Sequence, residues 1–369
     1  MKIEFVELRL VQMPLTAPFE TSFGREVAKE CILVKLAVDG VVGWGECVAM
    51  ERPWYSYETN GTAWHVIKDY ILPGLLGQEL ADRDEVRRRT AWIRGHNMAR
   101  AAIETAFWDA LARREGISLA QFMGSTQPRI ESGVSIGIQE TPAKLLKVID
   151  GYLQEGYRRI KIKIKPGWDA AVTRQVREAF PQIRLQVDAN SAYTLADAPI
   201  FREMEDLNLL LIEQPLAHDD IIDHARLQAQ VKVPICLDES IHSTEDARKA
   251  IELGACQVIN IKQGRVGGLG EALAMHDLCR ERGVPVWCGG MLETGIGRAV
   301  NCALASLPGF TLPGDVSASD RFYVQDIVEP PFTISADGWM TVPTAPGIGV
   351  TVQEDRVERI TVHRETFKP

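Results

Sequence analysis

The chain has 369 residues, a hydrophobic share of 46%, a charged share of 25% and a formal net charge of −9. The length predicts about two domains, the composition is that of a globular protein with a sizeable core, and the acidic balance leaves no basic footprint for nucleic acid. No apolar run approaches the roughly 18 residues of a membrane span, and the alternating opening MKIEFVELRLVQMPL reads as a strand rather than a secretory leader, so a cytoplasmic location and a small-molecule partner are expected.

Residues 1–125 carry strand patterns at Ile3 to Arg9, Cys31 to Val38 and Val41 to Val48, then helical patterns at Tyr57 to Leu75, Asp82 to Ile93 and Ala99 to Glu115. Strands followed by helices predict a separate α+β domain. The segments APFETSFGRE and CVAMERPWYSYET are rich in aromatic residues and read as lid loops. Seven cysteines lie in apolar segments without a CxxC pair and read as buried free thiols.

Over residues 126–318 strand and helix patterns alternate. Strands near VSIGI, RIKIKIK, RLQVDAN, LLLIEQP, PICLDES, QVINIKQ and PVWCGG, with an eighth around TLPGD, predict an α/β fold of the (β/α)-barrel type. Residues 319–369 become Pro- and Gly-rich and are expected to return to the N-terminal domain.

Within this alternation Lys163, Asp188, Glu213, Asp238 and Lys262 each end an apolar run, at intervals of 25, 25, 25 and 24 residues. Residues at the C-terminal ends of barrel strands face the active site. Neighbouring strands lie about 4.8 Å apart, so three carboxylates there repel one another unless a cation sits between them. Oxygen ligands without His or Cys suit Mg²⁺, or Mn²⁺. A single such carboxylate is equally well explained as a cap on the next helix, but three in register are not. Asn190, Gln214 and Glu239, beside the candidates, are read as groups that orient ligands or substrate.

The alternation in KIKIK projects Lys161, Lys163 and Lys165 to one side of their strand. With VSIGI as the first barrel strand, Lys163 falls on the second and Lys262 on the sixth, opposite each other in a ring of eight, so two amines face one substrate from two sides. An amine acts as a base only when unprotonated, and Lys161, Arg265 and the metal are the cations expected to lower its pKa. A metal-held carboxylate between two amines fits abstraction of the α proton, with the metal stabilising the enediolate. Epimerisation and elimination of a β group both remain open.

These residues resemble the enolase superfamily, within its muconate-lactonizing-enzyme subgroup, which has KxK on the second strand and lysine on the sixth. More narrowly, YRRIKIKIKPGWD, VDANSAYTL, LIEQPL, PICLDES, NIKQGRVGG, PVWCGGMLETGIGRA and LPGDVSASDRFY resemble the N-acylamino acid racemase/o-succinylbenzoate synthase family, over nearly the whole chain. The resemblance implies a capping domain whose loops, around Phe19 to Phe23 and Cys47 to Tyr55, close over the substrate. It implies base roles for Lys163 and Lys262, metal ligation by Asp188, Glu213 and Asp238, and carboxylate contact by Lys161. It also implies that Ser135, Asn190, Gly289, Met291 and Asp315 lie near the substrate, that Phe19, Phe23 and Met50 offer apolar lid surface, and that the chain is a homo-oligomer. The reactions implied are dehydration of a cyclohexadiene precursor to 2-succinylbenzoate, on the way to menaquinone, and racemisation of N-succinyl or other N-acyl amino acids. Dipeptide epimerisation and cycloisomerisation use the same machinery, and a non-catalytic binding barrel is the reading from another class. Gln263 stands where the family has Pro, and Lys165 extends KxK just before Pro166. No His lies between His276 and His363, which disfavours the mandelate-racemase branch with its seventh-strand His base.

Overall fold

The computed structural model describes residues 1–369. Its first three strands, β1 (Ile3–Glu20), β2 (Arg25–Val38) and β3 (Val41–Cys47), form an antiparallel sheet whose β1 edge is covered by the C-terminal strand Thr361–Phe367. Cross-strand partners Val6 and Leu36, and Leu8 and Val34, are fully buried, which fixes the hairpin register. The helix Asn97–Glu115 lies directly on β3. Gly43 and Gly45 permit that approach, because a Cβ at either would stand 2.1 Å from the Ala106 carbonyl oxygen or 2.2 Å from that of Ala102. Gly45→Ala is therefore expected to destabilise the protein by about 1–3 kcal/mol, the usual cost of overpacking. Urea denaturation measures it, and an unchanged midpoint would mean that the helix lifts freely.

Seven parallel strands follow in sequential order: β4 (Gly133–Ile136), β5 (Arg159–Lys163), β6 (Arg184–Asp188), β7 (Leu209–Glu213), β8 (Ile235–Leu237), β9 (Val258–Ile261) and β10 (Val286–Cys288). The expected barrel is present, but its eighth position is not a strand. Residues 310–315 close the gap with isolated bridges, Val286 to Phe310 and Ser132 to Gly314, and with the Gly133 amide donating to the Gly314 carbonyl at 2.8 Å. Pro313 has no N–H to offer, so TLPGD cannot build a regular ladder.

The segment APFETSFGRE differs from the expected loop. Both strands of the β1–β2 hairpin run through it and only residues 21–24 turn. The tip rests on the barrel mouth: the Ile138 amide donates to the Glu20 carbonyl at 2.8 Å, and the Ser22 hydroxyl donates to the Asn190 carbonyl at 3.1 Å. The helical pattern expected over Tyr57 to Leu75 is helical only in pieces, Asn60–Val66, Ile67–Ile71 and Leu72–Gly74.

One continuous apolar core runs from the N-terminal sheet into the barrel wall, while Leu211, Cys236, Val258 and Trp287 form a separate apolar floor inside the barrel. Above that floor the buried residues are charged or polar, among them Arg159, Lys161, Lys163, Gln186 and Glu213. All seven cysteines are buried and free. No helix is long and apolar enough to cross a membrane.

Candidate active site

Strand register assembles the centre of the site. Lys163 is the partner of Asp188 across β5 and β6, and Asp188 is the partner of Glu213 across β6 and β7. Glu213 pairs in register with Cys236, so Asp238 and Lys262 come just past the ends of β8 and β9, where the chain turns. The turning has a backbone cost. Asn190, Ser191, Gln214 and Leu292 adopt positive φ values of 42°, 65°, 37° and 57°, a conformation that costs non-glycine residues of order 1–3 kcal/mol each and clusters at functional sites. Gln214 repays part of it by accepting from the Asp238 amide at 2.9 Å while donating to Ser240 Oγ at 2.6 Å.

Two nests of opposite charge result. In one, Lys163 donates to Asp188 at 2.5 Å and to Asn190 Oδ1 at 2.8 Å, and Lys161 lies 2.5 Å from Asp315, 2.8 Å from Glu213 and 3.3 Å from Asp188. In the other, Lys262 donates to Asp238 at 2.7 Å and to the Tyr55 hydroxyl at 3.1 Å, while Arg265 pairs with the second Asp238 oxygen. Tyr55 also donates to Asp238 at 2.9 Å.

Burial and the neighbouring Asp188 push the Glu213 carboxyl up to about 7. Burial alone would raise Asp238 too, but Lys262 and Arg265 outweigh it and hold that carboxyl below the ordinary range. For Lys262 the expected depression is not found. Burial acts downward, yet Asp238 and Tyr55 prevail and raise the ammonium well above its usual value, because Arg265 and Lys161 are themselves neutralised by carboxylates. Glu239 is raised well above its range by burial beside Asp238 and Asp188, and its Oε2 has no hydrogen-bond partner.

No trio of His, Cys, Asp or Glu side chains stands at ligating geometry in this arrangement, since each ladder carboxylate turns toward a cationic side chain. The donor chemistry nonetheless fits a hard divalent cation. Three carboxylates crowd at neighbouring strand ends, Glu213 carries the signature of that crowding, and a Glu239 oxygen is orphaned beside them.

A cavity of about 270 Å³ opens between this charged layer and the hairpin. Phe19, Phe23, Met50, Ser135, Lys161, Lys163, Asn190, Lys262, Met291 and Asp315, all expected near substrate or reaction, line it. Asp188, Glu213, Asp238, Arg265 and Gly289 do not line it and are buried. Gly289 backs Lys262 instead: a Cβ there would stand 2.6 Å from Lys262 Cε. Lys165 lies beyond the end of β5 and pairs with Glu20 at the rim, 3.2 Å away. Gln263 opens the short helix Gln263–Val266, a position that proline also suits. Sequence reasoning gave no role to Tyr55, Arg159 or Asn260. Tyr55 sat in a segment marked by its aromatic content, but nothing local signals its reach to Asp238.

A parallel barrel with lysines and carboxylates at its strand ends, beneath an antiparallel cap, defines an enolase-superfamily enzyme. Residues 144–356 match the family described as enolase C-terminal domain-like, residues 5–124 match the mandelate racemase/muconate lactonizing enzyme N-terminal domain, and the chain belongs to this family. It is 54% identical over 366 residues to an o-succinylbenzoate synthase of Geobacillus stearothermophilus, covering 99% of this chain and 97% of the relative. It is 52% identical over 362 residues to an N-succinylamino acid racemase of Amycolatopsis sp, covering 98% of each. A solved enolase-superfamily structure from Listeria innocua, 41% identical, matches with a TM-score of 0.96 over 100% of this chain and 99% of that one. The chain is an enzyme of the lyase/isomerase kind.

Proposed function

We propose that this enzyme removes the α proton of a carboxylate substrate to give an enediolate, and does so as an o-succinylbenzoate synthase, an N-succinylamino acid racemase, or both. The observation that carries the reading is that Lys163 and Lys262, at the second and sixth positions of the parallel sheet, line one and the same cavity. Relatives of both names, each more than half identical over almost the whole chain, support it.

Asp188, Glu213 and Asp238 would hold a divalent cation, Mg²⁺ or Mn²⁺, and when bound that ion supplies positive charge at the substrate carboxylate. For either lysine to act as a base, its carboxylate partner must let go: Asp188 releases Lys163, and Asp238 releases Lys262. Lys161 keeps its charge beside Asp315 and offers an ammonium to the substrate carboxylate. In racemisation one lysine takes the α proton from its face and the other returns a proton to the opposite face. In the dehydration Lys163 takes the α proton and, as the ammonium, gives it to the β hydroxyl, which leaves as water, while the Lys262 ammonium stands near the developing charge.

The test gives purified enzyme with Mg²⁺ in D₂O the cyclohexadiene precursor, followed by formation of 2-succinylbenzoate, and a panel of N-succinyl amino acids, followed by α-deuterium incorporation. Dehydration or exchange is expected, and neither of them, or exchange on dipeptides alone, would replace the reading. Chelation with EDTA is expected to bring exchange to background and added Mg²⁺ to restore it; full exchange in EDTA would remove the three carboxylates from their proposed role.

A further inference from the structure

Four lysines line the cavity: Lys161, Lys163 and Lys262 from the barrel, and Lys29 from β2 in the cap. Each of the first three lies against a carboxylate of the barrel mouth. Lys29 has none. It is 4% exposed, it forms no salt bridge, and its single side-chain hydrogen bond is a long one to the Val48 carbonyl, at 3.4 Å. Glu46 and Glu26 feel its charge without pairing with it. Glu46 has its oxygens engaged elsewhere, by the Thr294 amide and hydroxyl and the Gly297 amide, at the start of the helix Gly295–Ala305.

A buried ammonium without a counter-ion is costly, and an anion that fills the place recovers the cost. On the barrel side each lysine has its carboxylate; the cap side also presents Arg25, Arg52, Glu26, Glu30 and Glu51, none of them buried, so Lys29 is its one buried charge and it has no paired carboxylate. We infer that Lys29 receives a second carboxylate of the substrate, the one that ends a succinyl chain, and so selects dicarboxylates over substrates with a neutral acyl group. This rests on the α-proton-abstraction reading given above. The reacting carboxylate then occupies the barrel mouth near Lys161, the methylenes of the tail cross the apolar lid surface, and the tail ends at Lys29. An N-acetyl substrate leaves the ammonium as it stands, so the discrimination comes from the cap and is independent of the two bases.

The test compares wild type, Lys29→Met and the conservative Lys29→Arg on N-succinyl- and N-acetyl-phenylalanine, with Mg²⁺, by deuterium incorporation. For Lys29→Met, KM for the succinyl substrate should rise roughly ten- to hundredfold and that for the acetyl substrate by less than about threefold, as expected for loss of one charge-assisted hydrogen bond. Lys29→Arg should recover most of the difference. Equal loss on both substrates, as for a lysine that only steadies Glu46 and the hairpin, or no loss on either, overturns the inference. Should Lys29→Met fail to fold, inhibition of the wild type by 2-succinylbenzoate and by 2-butyrylbenzoate, which lacks the distal charge, asks the same question. Tighter inhibition by the dicarboxylate is expected, and equal inhibition constants overturn the inference. A wild type that neither exchanges the α proton of an N-succinyl amino acid nor dehydrates the cyclohexadiene precursor overturns the underlying reading instead.

Discussion

Lys163→Ala and Lys262→Ala are each expected to lower racemisation of an N-succinyl amino acid by about three orders of magnitude, within the usual contribution of a positioned acid or base, yet to differ in what they spare. Each variant keeps one lysine, and in the proposed mechanism each lysine addresses one face of the α carbon. Lys163→Ala should therefore retain deuterium exchange on one enantiomer and lose it on the other, and Lys262→Ala should show the reverse. The two lysines belong to separate nests, Lys163 with Asp188 and Asn190, Lys262 with Asp238 and Tyr55, so removal of one does not directly disturb the other. Exchange followed by NMR on separate enantiomers decides the matter, and equal loss on both enantiomers in both variants would end the two-base account.

Asp315→Ala should have the largest effect on stability. The family resemblance implied a place near substrate for Asp315, and it does line the cavity, but its carboxylate also bridges Arg159 at 2.7 Å and Lys161 at 2.5 Å, two side chains that are 0% and 3% exposed. Truncation leaves the Arg159 guanidinium above the apolar floor without a carboxylate, and breaking a buried pair in this way costs about 3–5 kcal/mol. Burial would raise the Asp315 carboxyl, but Lys161 and Arg159 override it and hold it below the ordinary range. A depressed carboxyl contributes stability that is fully present above its unfolded pKa, about 3.9, and that is lost as pH falls toward the folded value. The gap between wild type and variant should thus be full at pH 7 and narrow below about pH 4. Denaturant titrations at both pH values measure it, and a gap that widened in acid would refute the assignment.

The ladder was legible because a barrel places strand-end residues on one face, so that a repeat in sequence becomes a ring in space. Its five members do gather there, and the register of Lys163, Asp188 and Glu213 follows from the pairing of β5, β6 and β7. What the repeat could not convey was how the charges divide. Asp238 is shared by Lys262, Arg265 and Tyr55, and the tyrosine comes from 183 residues away, a contact that no local pattern encodes. The hairpin was read as too short for a related reason: the alternation weakens where β1 and β2 leave the core and project over the barrel mouth, so Lys29 fell outside the strand as read. At TLPGD the beat of the barrel called for an eighth strand, but the missing donor of Pro313 decided otherwise.

The pairing of Thr361–Phe367 with β1 sets a temporal order on assembly. Val6 meets Phe367, and Arg9 reaches Glu358 across 349 residues at 2.6 Å. A ribosome delivers β1 roughly 350 residues before its neighbour, so through all that stretch of synthesis β1 presents an unpaired edge of N–H and C=O groups. The sheet that carries the hairpin over the cavity is completed only when Thr361–Phe367 arrives, and the cap is thereby sealed after the barrel strands have been made.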